Sequence, residues 1–308
     1  MKSRLHLCLA LLCLSSSFAV DLTPAAEDQS WPPALPGAKE GTVTLTTDKF
    51  LQIPASCAAK MKEPGAAPFT VAKTAPTVDF AYHGSLPNQA LNGTGWSAWG
   101  DIAVASTGMV YCGIGDHGED NKGKSHAYLY AWNPKTNTLK QIIDVNAIVT
   151  RTKGEPTWSK VHAGILEGPD GNIYFSATLN DGNSANQPVN KWSEAIPGGQ
   201  LYQYNPRSGK SKVFANLPAG HCTATTRLDT ARYVWWCNLE SSTLGDKIQA
   251  VNELYAVNLK TGKPLYRAPD GSVTQNRNFA LARNGTVYFN GEGGIWKCDA
   301  QAKKIEPT

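Results

Sequence analysis

From residue 101 onward, apolar and polar residues alternate over short runs, and a turn-forming pair closes each run. A period of two over such runs marks strands rather than helices. Four stretches repeat one plan: residues 101–112 (DIAVASTGMVYC), 164–178 (GILEGPDGNIYFSAT), 223–238 (TATTRLDTARYVWWCN) and 278–290 (NFALARNGTVYFN). Each reads as a hairpin, turning at Thr107-Gly108, Asp170-Gly171, Asp229-Thr230 and Asn284-Gly285. A third strand and a second turn follow in residues 128–137 (YLYAWNPKTN), 201–209 (LYQYNPRSG), 254–262 (LYAVNLKTG) and 295–299 (IWKCD). A fourth strand reads 139–143 (LKQII), 212–215 (KVFA) and 264–267 (PLYR). Equivalent positions Tyr111, Tyr174, Val234 and Tyr288 recur every 54–63 residues, so the unit is a four-stranded blade and the fold class is an all-β propeller. A β-sandwich fits the strand spacing but has no reason to repeat a double hairpin.

Closed propellers more often have six to eight blades, so the four units are expected to be part of a larger ring. The alternative is closure at four, with residues 77–82 (TVDFAY) as an outermost strand and residues 304–308 only beginning a fourth strand. An open arc would expose two blade faces and favour association. The repeated tyrosines, with Trp235, Trp236 and Trp296, are expected in the packing between blades.

Residues 254–265 (LYAVNLKTGKPL) resemble a repeat of the pyrroloquinoline-quinone (PQQ)-type propellers, and residues 167–174 (EGPDGNIY) resemble repeats of the SMP-30/lactonase and virginiamycin-lyase-like propellers. The resemblance implies the propeller fold. It carries no catalytic residue across, and the adjacent paired cysteines usual beside the cofactor of quinoprotein dehydrogenases do not occur in this chain.

The amino terminus adds an address. Lys2 and Arg4 precede the apolar residues 7–14, and Ser17 and Ala19 suit a cleavage site, so residues 1–19 read as a signal peptide and the mature chain as secreted or periplasmic. No apolar run approaches the roughly 20 residues of a membrane span. Residues 20–76, rich in proline, read as an N-terminal arm, and residues 77–308 as the blades. A formal net charge of +4 without a basic run leaves nucleic acid no electrostatic footprint.

Propeller geometry directs attention to one face. There the loops over residues 113–125, 179–199 and 239–253 and the crossing 144–160 are long, whereas the turns of the other face are minimal. The inner strands begin on this face with Trp99, Asp101, His162, His221, Asn276 and Arg277. His162, His221 and Arg277 are the candidate catalytic set: arginine neutralises a carboxylate, and a neutral histidine takes a proton or activates water. Trp99, Asp101, Trp158, Trp192 and Asn276 are the candidate substrate contacts, because a tryptophan face stacks on sugars. The loop holding Asp116, His117, Glu119, Asp120 and His126 carries ligands suited to Ca²⁺ or Zn²⁺, although a solvated polar loop has the same composition. If the third hairpin turns at Asp229-Thr230, Cys222 and Cys237 lie opposite each other and are the candidate disulfide; two buried thiols are the alternative.

These features point to a saccharide or sugar-acid ligand and a metal-assisted lyase or lactonase-like hydrolase. A non-catalytic glycan- or protein-binding propeller and a quinoprotein-type oxidoreductase are the alternatives. The serine-nucleophile elbow, the zinc-protease helix, the phosphate loop and the dinucleotide fingerprint are all missing from the sequence.

Overall fold

The computed structural model describes residues 37–67, 70–86, 96–97, 102–116, 126–149, 158–161, 163–179, 198–219, 221–243, 249–268, 273, 279–299 and 304–308. The chain divides into two compact units, residues 1–91 with 132–140, and residues 92–131 with 141–308. In the first, β1 (Thr42–Thr46) pairs antiparallel with β2 (Thr77–Ala81), near a short helix α1 (Ala55–Lys60) in the sequence. The strand expected over residues 77–82 therefore exists, but its partner is β1 and not a blade strand. Thr42 donates its hydroxyl to the Asn137 carbonyl at 2.5 Å, and the Asn137 amide nitrogen donates to Thr44 Oγ1 at 2.9 Å.

The four expected repeats fold as antiparallel sheets. Blade I contains β3 (Trp96–Ser97), β4 (Ile102–Val104), β5 (Val110–Asp116), β6 (Ala127–Asn133) and β7 (Thr138–Asp144), and β3 and β4 both pair with β5. A turn of helix, α2 (Val145–Ile148), follows, with Asp144 as its N-cap. Blade II contains β8 (Trp158–Lys160), β9 (Leu166–Glu167), β10 (Ile173–Ser176), β11 (Thr178–Leu179), β12 (Gln200–Asn205) and β13 (Lys210–Asn216); β8 and β11 form their own short ladder. Blade III is β14 (His221–Asp229), β15 (Val234–Thr243), β16 (Gln249–Asn258) and β17 (Pro264–Arg267). Blade IV is β18 (Phe279–Leu281), β19 (Val287–Gly291), β20 (Gly294–Asp299) and β21 (Lys304–Pro307). The architecture is an all-β propeller of four-stranded blades.

One local device makes the turn between third and fourth strands in three blades. The Asn133, Asn205 and Asn258 side chains accept hydrogen bonds from the backbone nitrogens two residues on, at 3.0, 2.9 and 2.9 Å. Asn137, Gly209 and Gly262 then reverse the chain at φ of 49°, 67° and 71°.

Burial follows the alternation. Tyr111 and Leu129 of blade I pack with Ile173, Phe175 and Tyr202 of blade II. Tyr174 and Leu201 of blade II pack with Trp235, Cys237 and Tyr255 of blade III, and Trp236 and Leu254 of blade III with Val287, Phe289 and Cys298 of blade IV. Each fully buried side chain of this size contributes about 2–3 kcal/mol of transfer free energy.

Several expectations are corrected. The third hairpin turns through residues 230–233, not at Asp229-Thr230, with Tyr233 at φ 57° beneath the Lys260 ammonium. A bulge between Thr223 and Thr225 then shifts the register, so Cys222 lies opposite Glu240 and Cys237 opposite Thr226. The two thiols fall on opposite faces of the sheet, and the expected disulfide is not made. Residues 239–253 are mostly not a loop, because β15 runs to Thr243 and β16 begins at Gln249. Residues 304–307 complete a fourth strand against β20 rather than beginning one. Tyr288, expected between blades, is 36% exposed, whereas Trp296 packs against the cluster of blades III and IV as expected and donates its ring N–H to the Glu292 carbonyl at 2.9 Å.

Candidate functional site

Third strands begin and fourth strands end at the same end of each blade, and in three blades a polar pair there joins the third strand to the end of the fourth, although in blade III the third strand runs four residues beyond the pair. In blade I, His126 Nδ1 lies 3.3 Å from Asp144 Oδ2; in blade II, Gln200 donates to Asn216 Oδ1 at 2.9 Å; in blade III, Arg267 meets Glu253. An open end between two antiparallel strands leaves backbone groups to water, and a side-chain bridge closes it locally.

The blade III pair grows into a three-residue cluster. Glu253 shares the inward row with Tyr255 and Val257, so its carboxylate is fully buried. Its Oε1 accepts from His221 Nε2 at 2.8 Å and from Arg267 Nη2 at 3.0 Å, and its Oε2 accepts from Arg267 Nε at 2.9 Å. The arginine thus grips both oxygens with one edge of its fork, the strong geometry for this pair. His221 opens β14 and is almost wholly buried, whereas the Arg267 side chain is 46% exposed. The cluster reaches solvent through the arginine.

His221 Nδ1 donates to the Ala219 carbonyl at 2.8 Å. Since Nε2 also faces an acceptor, the ring can donate at both positions only as the imidazolium. Burial by itself lowers the histidine pKa, but the hydrogen bonds to Glu253 and Ala219 outweigh it and hold the value above the ordinary 6.5. For Glu253, burial pushes the pKa up, and the bonds from His221 and Arg267 bring it below the ordinary 4.5. One carboxylate and two cations leave a net positive charge.

Backbone packing fixes the histidine. Gly199 donates its N–H to the His221 carbonyl at 2.7 Å and accepts from Leu217 N–H at 2.9 Å. A Cβ on Gly198 would stand 2.2 Å from the carbonyl oxygens of Leu217 and Pro218, so that position admits no side chain.

Of the residues singled out from sequence, His221 lies in this cluster. Glu253 and Arg267 were missed, although a glutamate on the inward row of a strand, two residues before Tyr255, is itself a signal that a buried charge has a partner. His126 stacks on Tyr128 at 5.3 Å and 4°, beside Asp144. Asp116 ends β5 in register with Trp96. Trp158 is a correction: at 3% exposure it is a core residue of blades I and II, its backbone held by Asn146 at 3.0 Å, and it offers no face for stacking. Trp99, Asp101, His117, Glu119, Asp120, His162, Trp192, Asn276 and Arg277 lie outside the described residues. Among the described residues no group of three or more histidine, cysteine, aspartate or glutamate side chains is placed to hold a metal ion, and no helix is long and apolar enough to cross a membrane.

The chain matches no protein-family model and no curated protein. It is similar to solved structures at low identity. A gluconolactonase of Xanthomonas campestris is 14% identical, with a TM-score of 0.37 over 66% of this chain and 59% of its own. An oligogalacturonate lyase in complex with manganese is 11% identical, with a TM-score of 0.42 over 70% of this chain and 54% of its own. A levansucrase of B. megaterium is 16% identical, with a TM-score of 0.44 over 72% of this chain and 69% of its own. The chain therefore spans a little over half the length of the first two.

Proposed function

We propose that this propeller binds a saccharide bearing a carboxylate, a sugar acid, at the end of blades II and III where His221, Glu253 and Arg267 meet. The observation that carries the reading is a fully buried carboxylate held by two cations, one of them half-exposed. The net positive charge at that end suits a ligand carboxylate, and guanidinium–carboxylate pairing supplies direction as well as attraction. The signal-like residues 1–19 support an extracellular or periplasmic setting for such a ligand.

Two activities suit this site. As an imidazolium, His221 is an acid rather than a base: it can protonate a leaving oxygen in a lyase or lactonase-like reaction, while the base comes from elsewhere. The same locked charge state favours a non-catalytic, glycan-binding propeller, because a histidine held protonated by Glu253 does not activate water. A Ca²⁺ or Zn²⁺ ion on the loop from Asp116 to His126 belongs to the enzyme reading, and His126 with its partner Asp144 suits that role, since carboxylates orient metal-binding histidines.

Binding of galacturonate and glucuronate oligosaccharides, measured by calorimetry beside neutral oligosaccharides of the same length, tests the reading. Preference for the acidic series, lost in Arg267→Gln, is the expected result. Equal or absent binding of both series by the wild type would overturn it.

A further inference from the structure

Equivalent residues of the four blades have different fates. Tyr111, Tyr174 and Val234 each project from the second strand of a blade toward the following blade and are buried there. Tyr111 meets the Tyr204 ring at 6.2 Å and 63°, and Tyr174 meets Trp235 at 5.4 Å and 81°, so the tyrosine is received by an aromatic ring in an edge-to-face pair. Tyr288 occupies the same position in blade IV and is 36% exposed, as Ile295 nearby is at 57%. On the other side of the same sheet Val287, Phe289 and Cys298 are buried against blade III. Blade IV thus keeps an interface pattern on a face that no described residue of the chain covers.

The charges on this face say what can cover it. Tyr288, Lys297 and Glu306 are in register across three strands. Glu306 accepts from Lys297 at 3.3 Å and from Lys304 at 3.0 Å, and the Lys304 side chain is 71% exposed. A patch carrying both signs beside an aromatic ring is complementary to itself: turned about a two-fold axis, Tyr288 meets Tyr288, and the Glu306 of each copy faces the lysines of the other. Blade I is a poor alternative receiver. On its corresponding face Val110, Tyr128 and Tyr130 are already buried, leaving Ile102 and Val104 of the inner strand exposed.

We propose that the outward face of blade IV is the interface of a two-fold homodimer. Sedimentation velocity of the 308-residue chain over a micromolar concentration series tests it. A dimer is expected, with Ile295→Glu and Tyr288→Glu each weakening association at least tenfold while the thermal melt keeps its shape and the far-ultraviolet circular dichroism is unchanged, because both side chains are exposed. Lys304→Glu is expected to weaken the dimer as well, and raised salt to weaken it further. A wild-type monomer throughout the series would overturn the proposal, as would a dimer indifferent to Ile295→Glu and Tyr288→Glu. Oligomers that keep growing with concentration would overturn it too, because they signal head-to-tail stacking rather than a closed pair.

Discussion

Glu253 shows how one residue can set the character of a site. A buried carboxylate without partners is costly, and here three donor contacts from His221 and Arg267 offset that cost. Glu253→Ala removes the anion and leaves His221 facing Arg267; a loss of about 3–5 kcal/mol is expected from urea unfolding, with Glu253→Gln losing less because its oxygen still accepts. The charge states make stability depend on pH in two directions. Glu253, lowered below 4.5, contributes fully above that value and loses its contribution as pH falls through the lowered pKa. His221, raised above 6.5, contributes fully below 6.5 and loses its contribution as pH rises through the raised pKa. The cluster therefore stabilises most between about 4.5 and 6.5, and melting temperature should fall above that window in the wild type. His221→Gln should flatten the alkaline limb and leave the acidic limb in place. An unchanged alkaline limb in that variant would show that the His221 charge has no part in it.

At the scale of elements, the third-to-fourth-strand turns can be compared directly, since they share one Asx mechanism and differ in their surroundings. Gly209 and Gly262 have nearly the same positive φ, but a Cβ on Gly209 meets nothing within 4 Å, whereas one on Gly262 meets the Phe214 carbonyl oxygen at 2.7 Å. Gly209→Ala should cost about 1–2 kcal/mol from the left-handed backbone alone. Gly262→Ala should cost clearly more, because backbone must also move; equal costs by chemical denaturation would refute the clash. The bulge at Ala224, between Thr223 and Thr225, works through register. It separates Cys222 from Cys237 by placing them on opposite faces, and burial pushes the Cys237 thiol up, which makes it unreactive. Deleting Ala224 should leave an unbroken ladder in which Cys222 still faces Glu240, on the other face from Cys237, so no Cys222–Cys237 cross-link is expected by intact mass after oxidation.

For the whole molecule, the open question is what the long loops add to the blade end. Elemental analysis of the purified chain tests the metal reading: stoichiometric Ca²⁺ or Zn²⁺, lost in a paired Asp116→Ala and His117→Ala variant, is expected if the loop is a metal site. A metal-free protein that still binds acidic oligosaccharides would leave the binding-module reading in possession. Intact mass in the same experiment checks removal of residues 1–19 after export.

Alternation of side chains and turn chemistry are local properties, so the four blades, the strand order and most turns were legible in the sequence. Trp235 and Trp236 were expected in the core and are there. His221 was singled out because it opens an inner strand, and the structure places it against Glu253. Its partners were not legible, because Glu253 and Arg267 lie 32 and 46 residues farther along the chain, and only the pairing of β16 with β15 and β17 brings them to it. The same limit explains Cys222, whose face depends on one inserted residue in its strand, and Trp158, a ring with the composition of a sugar platform that packing places in the core. Periodicity determined which residues form strands and which turns reverse them. Only the tertiary structure decided which charges meet, which tryptophan is buried and which repeated tyrosine is left exposed, because those outcomes depend on register and on the neighbouring blade.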